Sequence, residues 1–299
     1  TMNSIALELP EGRLIDLYGG REDIARGRVR AVSSHFVEDP VRALRAARQA
    51  ALFGYEITEE TLAYMRACRA ELAREPGERI FAELRRALGA AQPSSFFRWL
   101  ARAGVLDVTF PELAALVGKT QPQAFHPEGD AFEHTMLVLD RVAAETGDVR
   151  ARFTALAHDI GKGRTPQAML PHHYGHEVCG LDVLADWNRR MTLPRDWRAA
   201  AAFVIREHMR APRLTKAGKI VKLLMAAVKV PLPFSAFLAV LRADHGDLPA
   251  YLVHGEEIAA ELLRISGHAA PPELVGEEIA DWLLAQRVRR LQALLQQKK

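Results

Sequence analysis

Residues 126–162 read HPEGDAFEHTMLVLDRVAAETGDVRARFTALAHDIGK, and this stretch decides the architecture of the chain. His134 stands early on one apolar helical pattern, and the adjacent His158 and Asp159 end the next pattern, just before the helix-stopping Gly161. Burying an imidazole and a carboxylate among apolar side chains costs several kcal/mol unless a partner compensates them. A divalent cation satisfies both groups at once. The pattern therefore predicts a metal site.

Further histidines and one carboxylate follow this stretch as candidate ligands. They are His172, His173, His176, His208 and Asp244. A single histidine of this kind is more typical of a hydrogen-bonded core residue or a solvated surface residue, but the HDIGK sequence after an earlier helical histidine favours ligation. Imidazole suits zinc, iron, nickel or manganese, and carboxylate oxygen shifts the preference toward harder ions. We expect a divalent metal of the Mg, Mn, Ni or Zn class.

The composition is that of a globular protein with a mild basic excess. Of 299 residues, 49% are apolar and 26% charged, with a net charge of +3, which permits an anionic partner without requiring one. No apolar run of 18 residues occurs, so no membrane partner is expected, and the first residues lack a signal-peptide pattern. Cys68 and Cys179 form no spaced motif, which fits a reducing, cytoplasmic location.

Apolar spacings of three and four predict a mainly α fold after Arg30. The predicted helices are 39–53, 58–72, 77–90, 93–104, 130–146, 149–161, 175–190, 196–209, 217–228, 234–244, 254–264 and 274–296. Only residues 3–18 alternate like strands, around a turn at Pro10-Glu11-Gly12. Because an isolated hairpin is marginal in water, we expect this one to be the last edge of a sheet whose other strands are missing from the chain.

The ordered set H…HD…H…H…D resembles the HD phosphohydrolase superfamily. The resemblance implies two metal positions, one held by four residues and a second that two intermediate histidines can hold. The first set is His134, His158, Asp159 and Asp244, and the second pair is His176 and His208. It also implies that His158 and Asp159 are catalytic, in a metal-dependent phosphohydrolase acting on 2′,3′-cyclic phosphates, 2′-nucleotides and phosphomonoesters.

Six segments in order resemble the bacterial tRNA nucleotidyltransferases, the CCA-adding enzymes that carry an HD domain. They are TMNSIAL, LIDLYGGREDI, RVRAVSSHFVEDPVRALRAARQAALFGYEI, ERIFAELRRAL, FHPEGDAFEHT and HDIGKGRTP, and the likeness covers roughly residues 1–250. It implies a remnant of the nucleotidyltransferase head at 1–30, a multi-helical neck and RNA-binding body at 31–120, an all-helical HD domain at 121–250 and a helical tail at 251–299. The expected partners are tRNA and nucleotides or phosphate esters.

In that family a glycine-rich turn and a pair of metal-binding aspartates precede the segment that matches residues 1–6. No Asp-x-Asp pair flanked by a strand occurs in this sequence, so we expect no nucleotide addition from this chain alone. The sequence is either a clipped piece of a full enzyme or a naturally headless protein. The first residue, Thr1, and the unpaired hairpin edge favour clipping.

The neck motif EDPVR places Asp39 and Arg42 one helical turn apart, where an acceptor and a fork of donors can face a base edge. In the family this element selects the incoming nucleotide, so the resemblance implies nucleotide binding by Asp39 and Arg42, with Arg45 on the same face. The alternative is that Asp39 caps a helix with Pro40 at its first position. Gln49 stands where the family commonly has an aromatic residue.

Other residues around the site have open roles. Lys162, one turn past the HD pair, is predicted to steady a phosphate oxygen as a catalytic residue, or alternatively to be a favourable charge at a helix end. Asp130 is expected to cap the His134 helix, with His126 only opening the turn before it. The loop residues His172 and His173 are not expected to be ligands. Residues 195–229 carry nine Lys or Arg against two acidic residues, which favours attraction of phosphate-bearing substrates.

Three classes of function remain open. The first is the neck and HD portion of a tRNA nucleotidyltransferase that acts in tRNA 3′-end CCA addition or repair. The second is a free-standing HD-type nucleotide phosphohydrolase, against which the EDPVR motif argues. The third is a headless tRNA-binding subunit that works with a separate nucleotidyltransferase head, and a homodimer is also possible. The basic end of the tail is expected to be a solvated helix end, and includes Arg287, Arg289, Arg290, Lys298 and Lys299.

Overall fold

The structure is a computed structural model, and residues 1–297 are described. The predicted role of Lys298 and Lys299 lies outside the described residues. Seventeen α-helices account for most of this range, which confirms the mainly α fold. They are α1 Gly20–Ala25, α2 Val41–Phe53, α3 Glu59–Ala67, α4 Arg69–Leu72, α5 Gly77–Ala87, α6 Ser94–Ala103, α7 Leu106–Thr109, α8 Pro111–Ala114, α9 Ala131–Glu145, α10 Val149–Ala157, α11 His176–Met191, α12 Arg195–Glu207, α13 Ala217–Ala227, α14 Phe234–His245, α15 Ala250–Val253, α16 Gly255–Leu263 and α17 Glu277–Gln297.

Four short strands and six 3₁₀ helices complete the regular structure of residues 1–297. Strands β1 (Ala6–Glu8) and β2 (Arg13–Ile15) form the predicted antiparallel hairpin, with Leu7 opposite Leu14. Strands β3 (Arg28–Val29) and β4 (Glu56–Ile57) pair in parallel, so the expectation that only residues 3–18 form strands was wrong. Strands of two residues are too short to show an alternating pattern. Helix α1 was also missed, because its six residues are too few to show a helical period.

The helix that carries the HD pair is shorter than predicted. We expected it to run over 149–161, but α10 ends at Ala157, His158 is its C-cap, and a 3₁₀ turn follows at Ile160–Arg164. Gly161 permits this turn to lie against α11, because a Cβ atom there would lie 1.9 Å from the backbone oxygen of His176. The tight approach of this turn to α11 brings the HD pair against the next ligand segment.

The helix caps agree in part with the predictions. Asp130 caps α9 as expected, since its carboxylate accepts the backbone N–H groups of Phe132 and Glu133. At the neck the cap position is taken by Pro40, one residue later than predicted, although Asp39 still accepts the Val41 N–H at 3.3 Å. The capping alternative, with Asp39 as the N-cap and Pro40 as the first helical residue, was therefore wrong.

Two hydrophobic clusters form the core and meet at α9 and α10. The first includes Leu44, Phe96, Phe110, Phe153 and Trp187, and joins the neck helices to α10 and α11. The second includes Val142, Val204, Leu224, Phe237 and Leu262, and joins α9 and α12 to the later helices. Because α9 and α10 contribute to both clusters, the polar ends of these helices are held at a junction of the fold.

Buried Arg152 ties the two parts together through backbone groups. On α10, it donates to the carbonyl oxygens of Leu88 and Ala90, which follow α5, and to that of Ala143 on α9. The predicted limits at 30, 120 and 250 remain predictions, since the first cluster runs across residue 120. Within residues 1–297, none of the helices combines the length and apolar character that crossing a bilayer requires.

Candidate metal centre

The structure brings all six sequence-predicted ligands together, although five separate helices carry them. Their side chains are almost wholly removed from solvent. They are His134 in the first turn of α9, His158 and Asp159 after α10, His176 at the start of α11, His208 after α12 and Asp244 near the end of α14. The ligand candidates lie at or near the ends of these five helices, because a side chain there can be buried in the site while the helix itself packs on the apolar core. The role of each as a ligand remains a prediction.

Asp159 is the centre of the arrangement, because each of its carboxylate oxygens faces a different pair of histidines. Its Oδ2 lies 3.2 Å from Nε2 of His158 and 3.7 Å from Nε2 of His134. Its Oδ1 lies 3.3 Å from Nε2 of His176 and 3.4 Å from Nε2 of His208. Asp244 completes the first side, with Oδ1 at 3.0 Å from Nε2 of His134 and 4.0 Å from Nε2 of His158.

The other nitrogen of each imidazole determines which tautomer is present. Nδ1 of His158 donates to the backbone oxygen of Ala155 at 2.7 Å, since a carbonyl can only accept. Nδ1 of His176 likewise donates to the His173 oxygen at 2.7 Å. Nδ1 of His208 donates to the Ile205 oxygen at 2.9 Å. In the neutral ring each Nε2 is therefore a bare lone pair directed at Asp159.

Acceptors consequently face acceptors in the interior of the protein. Nε2 of His158, both carboxylate oxygens of Asp159 and Oδ2 of Asp244 are buried without a hydrogen bond of normal geometry. Burial by itself lowers the pKa of His158, but the charge of Asp159 outweighs it and raises that pKa. Either protons or a cation must separate these groups, and imidazole nitrogen with carboxylate oxygen is the donor set of Mn, Fe, Ni and Zn sites. The residues present therefore fit a divalent metal.

Lys162 is buried beside the pair rather than exposed at a helix end. Its Nζ lies 2.6 Å from Oδ2 of Asp159 and donates to Oε1 of Gln121 at 2.5 Å. Both predicted roles, steadying a phosphate oxygen and a favourable charge at a helix end, remain predictions. Sequence reasoning missed Gln121, which is 3% exposed and has an amide nitrogen without a partner. No sequence signal marks it, because it reaches the site from the loop before α9.

The HPEGD turn contributes more than the sequence indicated. Oε1 of Glu128 lies 2.6 Å from Nδ1 of His134 and 3.3 Å from Nδ1 of His126. Burial works to raise the pKa of Glu128, but hydrogen bonding and His134 outweigh it, so the pKa is lowered. Burial also lowers the pKa of His126. From the sequence, His126 was expected only to open the turn and Glu128 was given no role, although both stand immediately before the His134 helix.

The remaining loop histidines, His172 and His173, lie outside the candidate groups. Among the groups of residues 1–297 that could hold a metal ion, neither His172 nor His173 is a member. The ring of His173 is hydrogen bonded to the Thr165 hydroxyl at 2.8 Å and to the Thr120 carbonyl at 3.0 Å. It fixes one loop of the site against another.

A separate cleft lies in the neck, with a volume of about 280 Å³. Arg42 and Arg45, two of the three residues predicted to bind nucleotide, line it together with Arg30. The third, Asp39, does not line it, and instead forms an ion pair with Arg79 at 3.0 Å. Nε of Arg45 lies 3.6 Å from Oε1 of the buried Glu83, and this ion pair helps to position the guanidinium.

Two known protein families match parts of the chain. Residues 54–116 match the family described as the probable RNA and SrmB-binding site of polymerase A, and residues 131–227 match the HD domain. The HD match spans five of the six predicted ligands, and only Asp244 lies beyond it.

Relatives of the whole chain agree with these matches. The Multifunctional CCA protein of Nitrosococcus oceani is 39% identical over 306 residues, covering 97% of this chain and 75% of that protein. That of Shewanella denitrificans is 42% identical over 213 residues, covering 70% of this chain and 51% of that protein. Among solved structures, the Thermotoga maritima CCA-adding enzyme complexed with tRNA aligns at 19% identity with a TM-score of 0.53, over 97% of this chain and 67% of that one, which shows the fold alone.

These relatives are longer than the present chain, which spans between about half and three quarters of the two curated proteins. Identity of 39% over 97% of this chain nevertheless shows that this chain and the Nitrosococcus oceani protein belong to one family. The chain belongs to the family of multifunctional CCA proteins, bacterial CCA-adding enzymes, and carries an HD domain.

Proposed function

We propose that the buried centre is the site of a metal-dependent phosphohydrolase in a protein of tRNA 3′-end CCA addition or repair. The observation that carries the proposal is the position of Asp159, whose two carboxylate oxygens face two separate pairs of histidines. The proposed substrates are 2′,3′-cyclic phosphates, 2′-nucleotides and phosphomonoesters. When bound, a divalent ion supplies positive charge against phosphoryl oxygens and lowers the pKa of water toward neutrality.

Different side chains have different proposed roles at this site. His134, His158, Asp159 and Asp244 would hold one ion, and the Oδ1 side of Asp159 with His176 and His208 would hold a second. Lys162 keeps Asp159 oriented and places a cation where a phosphate oxygen can approach. Its ammonium has three donors, and only the one to Gln121 forms a hydrogen bond of normal geometry, while the 2.6 Å contact with Asp159 is an ion pair.

Positive charge on the surface next to the site favours phosphate-bearing substrates. Arg206 is exposed on α12, two residues before His208, and Arg213 and Lys216 are exposed farther along. Exposed cations raise the local concentration and the association rate of anions, and salt screens this effect. We propose that residues 195–229 guide phosphate esters to the centre.

For the neck we propose contact with nucleotide and tRNA through Arg42 and Arg45 at the cleft and Asp39 beside it. The family match over residues 54–116 favours RNA binding by the segment that follows these three residues. We further propose that these 299 residues do not add nucleotides by themselves, because they contain no strand-flanked Asp-x-Asp pair. The RNA-binding match also favours a tRNA-binding subunit with a separate head over a free-standing nucleotide phosphohydrolase.

The test is hydrolysis of a 2′,3′-cyclic nucleotide and of a generic phosphomonoester by the purified chain, with Mn²⁺, Ni²⁺, Zn²⁺ or Mg²⁺ added after chelation. Asp159→Asn should remove both retained metal and hydrolysis. The matched control is Asp182→Asn on α11, a carboxylate whose side chain is 73% exposed. If Asp159→Asn hydrolyses either ester at the unmodified rate, the proposal is wrong.

A further inference from the structure

The four histidines of the centre are not held in the same way. Three of them donate Nδ1–H to a backbone carbonyl three residues earlier in the chain. His134 is the exception, because its Nδ1 meets a side-chain carboxylate, Oε1 of Glu128, at 2.6 Å. This carboxylate comes from the turn before α9, and only 14% of its side chain is exposed.

We propose that Glu128 is a positioning residue, which holds His134 with its proton on Nδ1 and its Nε2 directed at Asp244 and Asp159. The proposal rests on the metal-dependent function proposed above. A carboxylate that accepts the outer N–H of a ligating imidazole fixes the tautomer, orients the ring and makes the nitrogen on the other side a better ligand. The HPEGD turn is thus part of the metal centre.

The alternative is that the side chains around Glu128 form a separate ion site. The ligand atoms of His126, Glu128 and His134 do lie close enough together to hold an ion. Two ligand atoms bonded to one ion at about 2.1 Å are usually separated by about 3 Å or more. The 2.6 Å between Oε1 of Glu128 and Nδ1 of His134 is instead a hydrogen-bond length, with a proton between the atoms.

The geometry of His134 leads to the same assignment. Its Nε2 is 3.0 Å from Oδ1 of Asp244 and 3.7 Å from Oδ2 of Asp159, so this nitrogen belongs to the central group. A neutral imidazole has only one bare lone pair. If Nε2 supplies it, Nδ1 carries the proton and cannot bind a further ion.

The turn is built to present Glu128 in one position. Gly129 adopts a left-handed conformation with φ of 73°, its N–H donates to the His126 oxygen at 2.9 Å, and its oxygen accepts from Gln121 N at 2.9 Å. Asp130, the next residue, also accepts the Gly118 N–H at 2.7 Å, which ties the turn to the end of the neck. A preorganised carboxylate costs little entropy when it orients the imidazole.

Zinc binding tests the proposal with a readout other than activity. The chain and its Glu128→Ala variant are titrated with Zn²⁺ against a chromophoric chelator. Loss of such a carboxylate weakens metal affinity by about 10- to 100-fold, with the number of bound ions unchanged. Glu128→Gln should be affected only a few-fold, because its amide oxygen still accepts Nδ1–H. The matched control is Glu133→Ala, a neighbouring carboxylate that pairs with Arg98 at 2.5 Å.

The tautomer of His134 provides a second measurement that needs no metal. Nitrogen-15 shifts of the imidazole in the chelator-treated chain should show Nδ1 protonated, and Glu128→Ala should shift the population toward the Nε2-protonated form. If unmodified protein binds no Zn²⁺, the proposed function fails, while this tautomer shift still supports the positioning by Glu128. Circular dichroism checks folding, and Glu128→Leu, which also lacks an acceptor for Nδ1–H, replaces Glu128→Ala in both measurements if the alanine variant does not fold.

Three results would overturn the proposal. The first is a Glu128→Ala variant that binds Zn²⁺ as tightly as the unmodified chain. The second is a loss of one ion with the remaining affinity unchanged, which would make Glu128 a ligand of a separate site. The third is a His134 tautomer that does not respond to either Glu128 variant.

Discussion

The Nε2 atoms of His176 and His208 lie 3.3 Å apart in the interior of the protein. Each also faces Oδ1 of Asp159, at 3.3 and 3.4 Å, while the Nδ1 side of each ring is occupied by a backbone carbonyl. Lone pairs at this distance repel one another unless a proton or a metal ion lies between them. The predictions below follow from this relationship and from the charges around it.

Removal of metal should destabilise the folded chain. An ion that binds only the native state stabilises it by about 4 kcal/mol at a thousand times its Kd, so chelation should lower the Tm by several degrees. His158→Ala should lower the Tm in metal and reduce its response to chelator, because the proposed second ion position does not include His158. His172→Ala, a loop residue outside the candidate groups, is the control. Differential scanning calorimetry makes the measurement, and equal Tm values with and without chelator would contradict the prediction.

Substitution of Lys162 should separate metal binding from chemistry. Its ammonium lies 2.6 Å from Asp159, so it repels a cation bound there while attracting phosphate oxygens. Lys162→Gln should therefore retain or strengthen Mn²⁺ binding, yet lower kcat/KM for a phosphomonoester by at least about tenfold, or about 1.4 kcal/mol of transition-state stabilisation. Asp159→Asn should lower both quantities. A Lys162→Gln variant with unchanged kcat/KM would show that this lysine is only a structural counter-ion.

The basic stretch should act on substrate capture and depend on salt. Arg206→Gln should raise KM, more for an RNA-sized substrate than for a small ester, and the effect should shrink as ionic strength increases. Arg210→Gln should have the smaller effect, because Arg210 is already paired with Glu207 at 2.6 Å. Steady-state kinetics at two salt concentrations provide the test. A change in KM that does not depend on salt concentration would mean that Arg206 has a packing role and does not attract the substrate electrostatically.

Nucleotide addition should be absent from this chain alone. Incubation with CTP, ATP and a tRNA that lacks its terminal residues should extend no RNA, as judged by gel electrophoresis at nucleotide resolution. A full-length relative serves as the positive control. Templated addition would place catalytic aspartates within these 299 residues, where none are expected.

Acid should weaken the N-terminal segment of residues 1–30 through Asp23. Burial works to raise its pKa, but the Thr1 hydroxyl at 2.6 Å and Arg30 at 2.9 Å outweigh it, so the pKa lies below its ordinary value of 3.8. A carboxyl whose pKa is lowered by folding contributes stability that is complete above 3.8 and is lost as pH falls through the folded-state pKa. Asp23→Asn should lower the free energy of unfolding at neutral pH by about 1–3 kcal/mol. It should also flatten the pH dependence below 3.8, and the exposed Asp182→Asn should do neither.

Local pattern was enough to predict much of this protein. Apolar spacing predicted the long helices, Asp130 was predicted as the cap of α9, and the alternation around Pro10 predicted the hairpin. The candidate ligands were named from residue type, order and resemblance, and their role as ligands remains a prediction. The families that match residues 54–116 and 131–227 confirm that resemblance.

Only the tertiary structure decided how the side chains face one another. His134 and Asp244 are 110 positions apart in sequence and 3.0 Å apart in space. The two-sided position of Asp159, the buried ammonium of Lys162 and the carboxylate of Glu128 on His134 likewise depend on helices that pack from distant parts of the chain. Periodicity reports which face of one helix is buried, but a contact between helix ends is determined by packing over the whole core, and no local pattern encodes it.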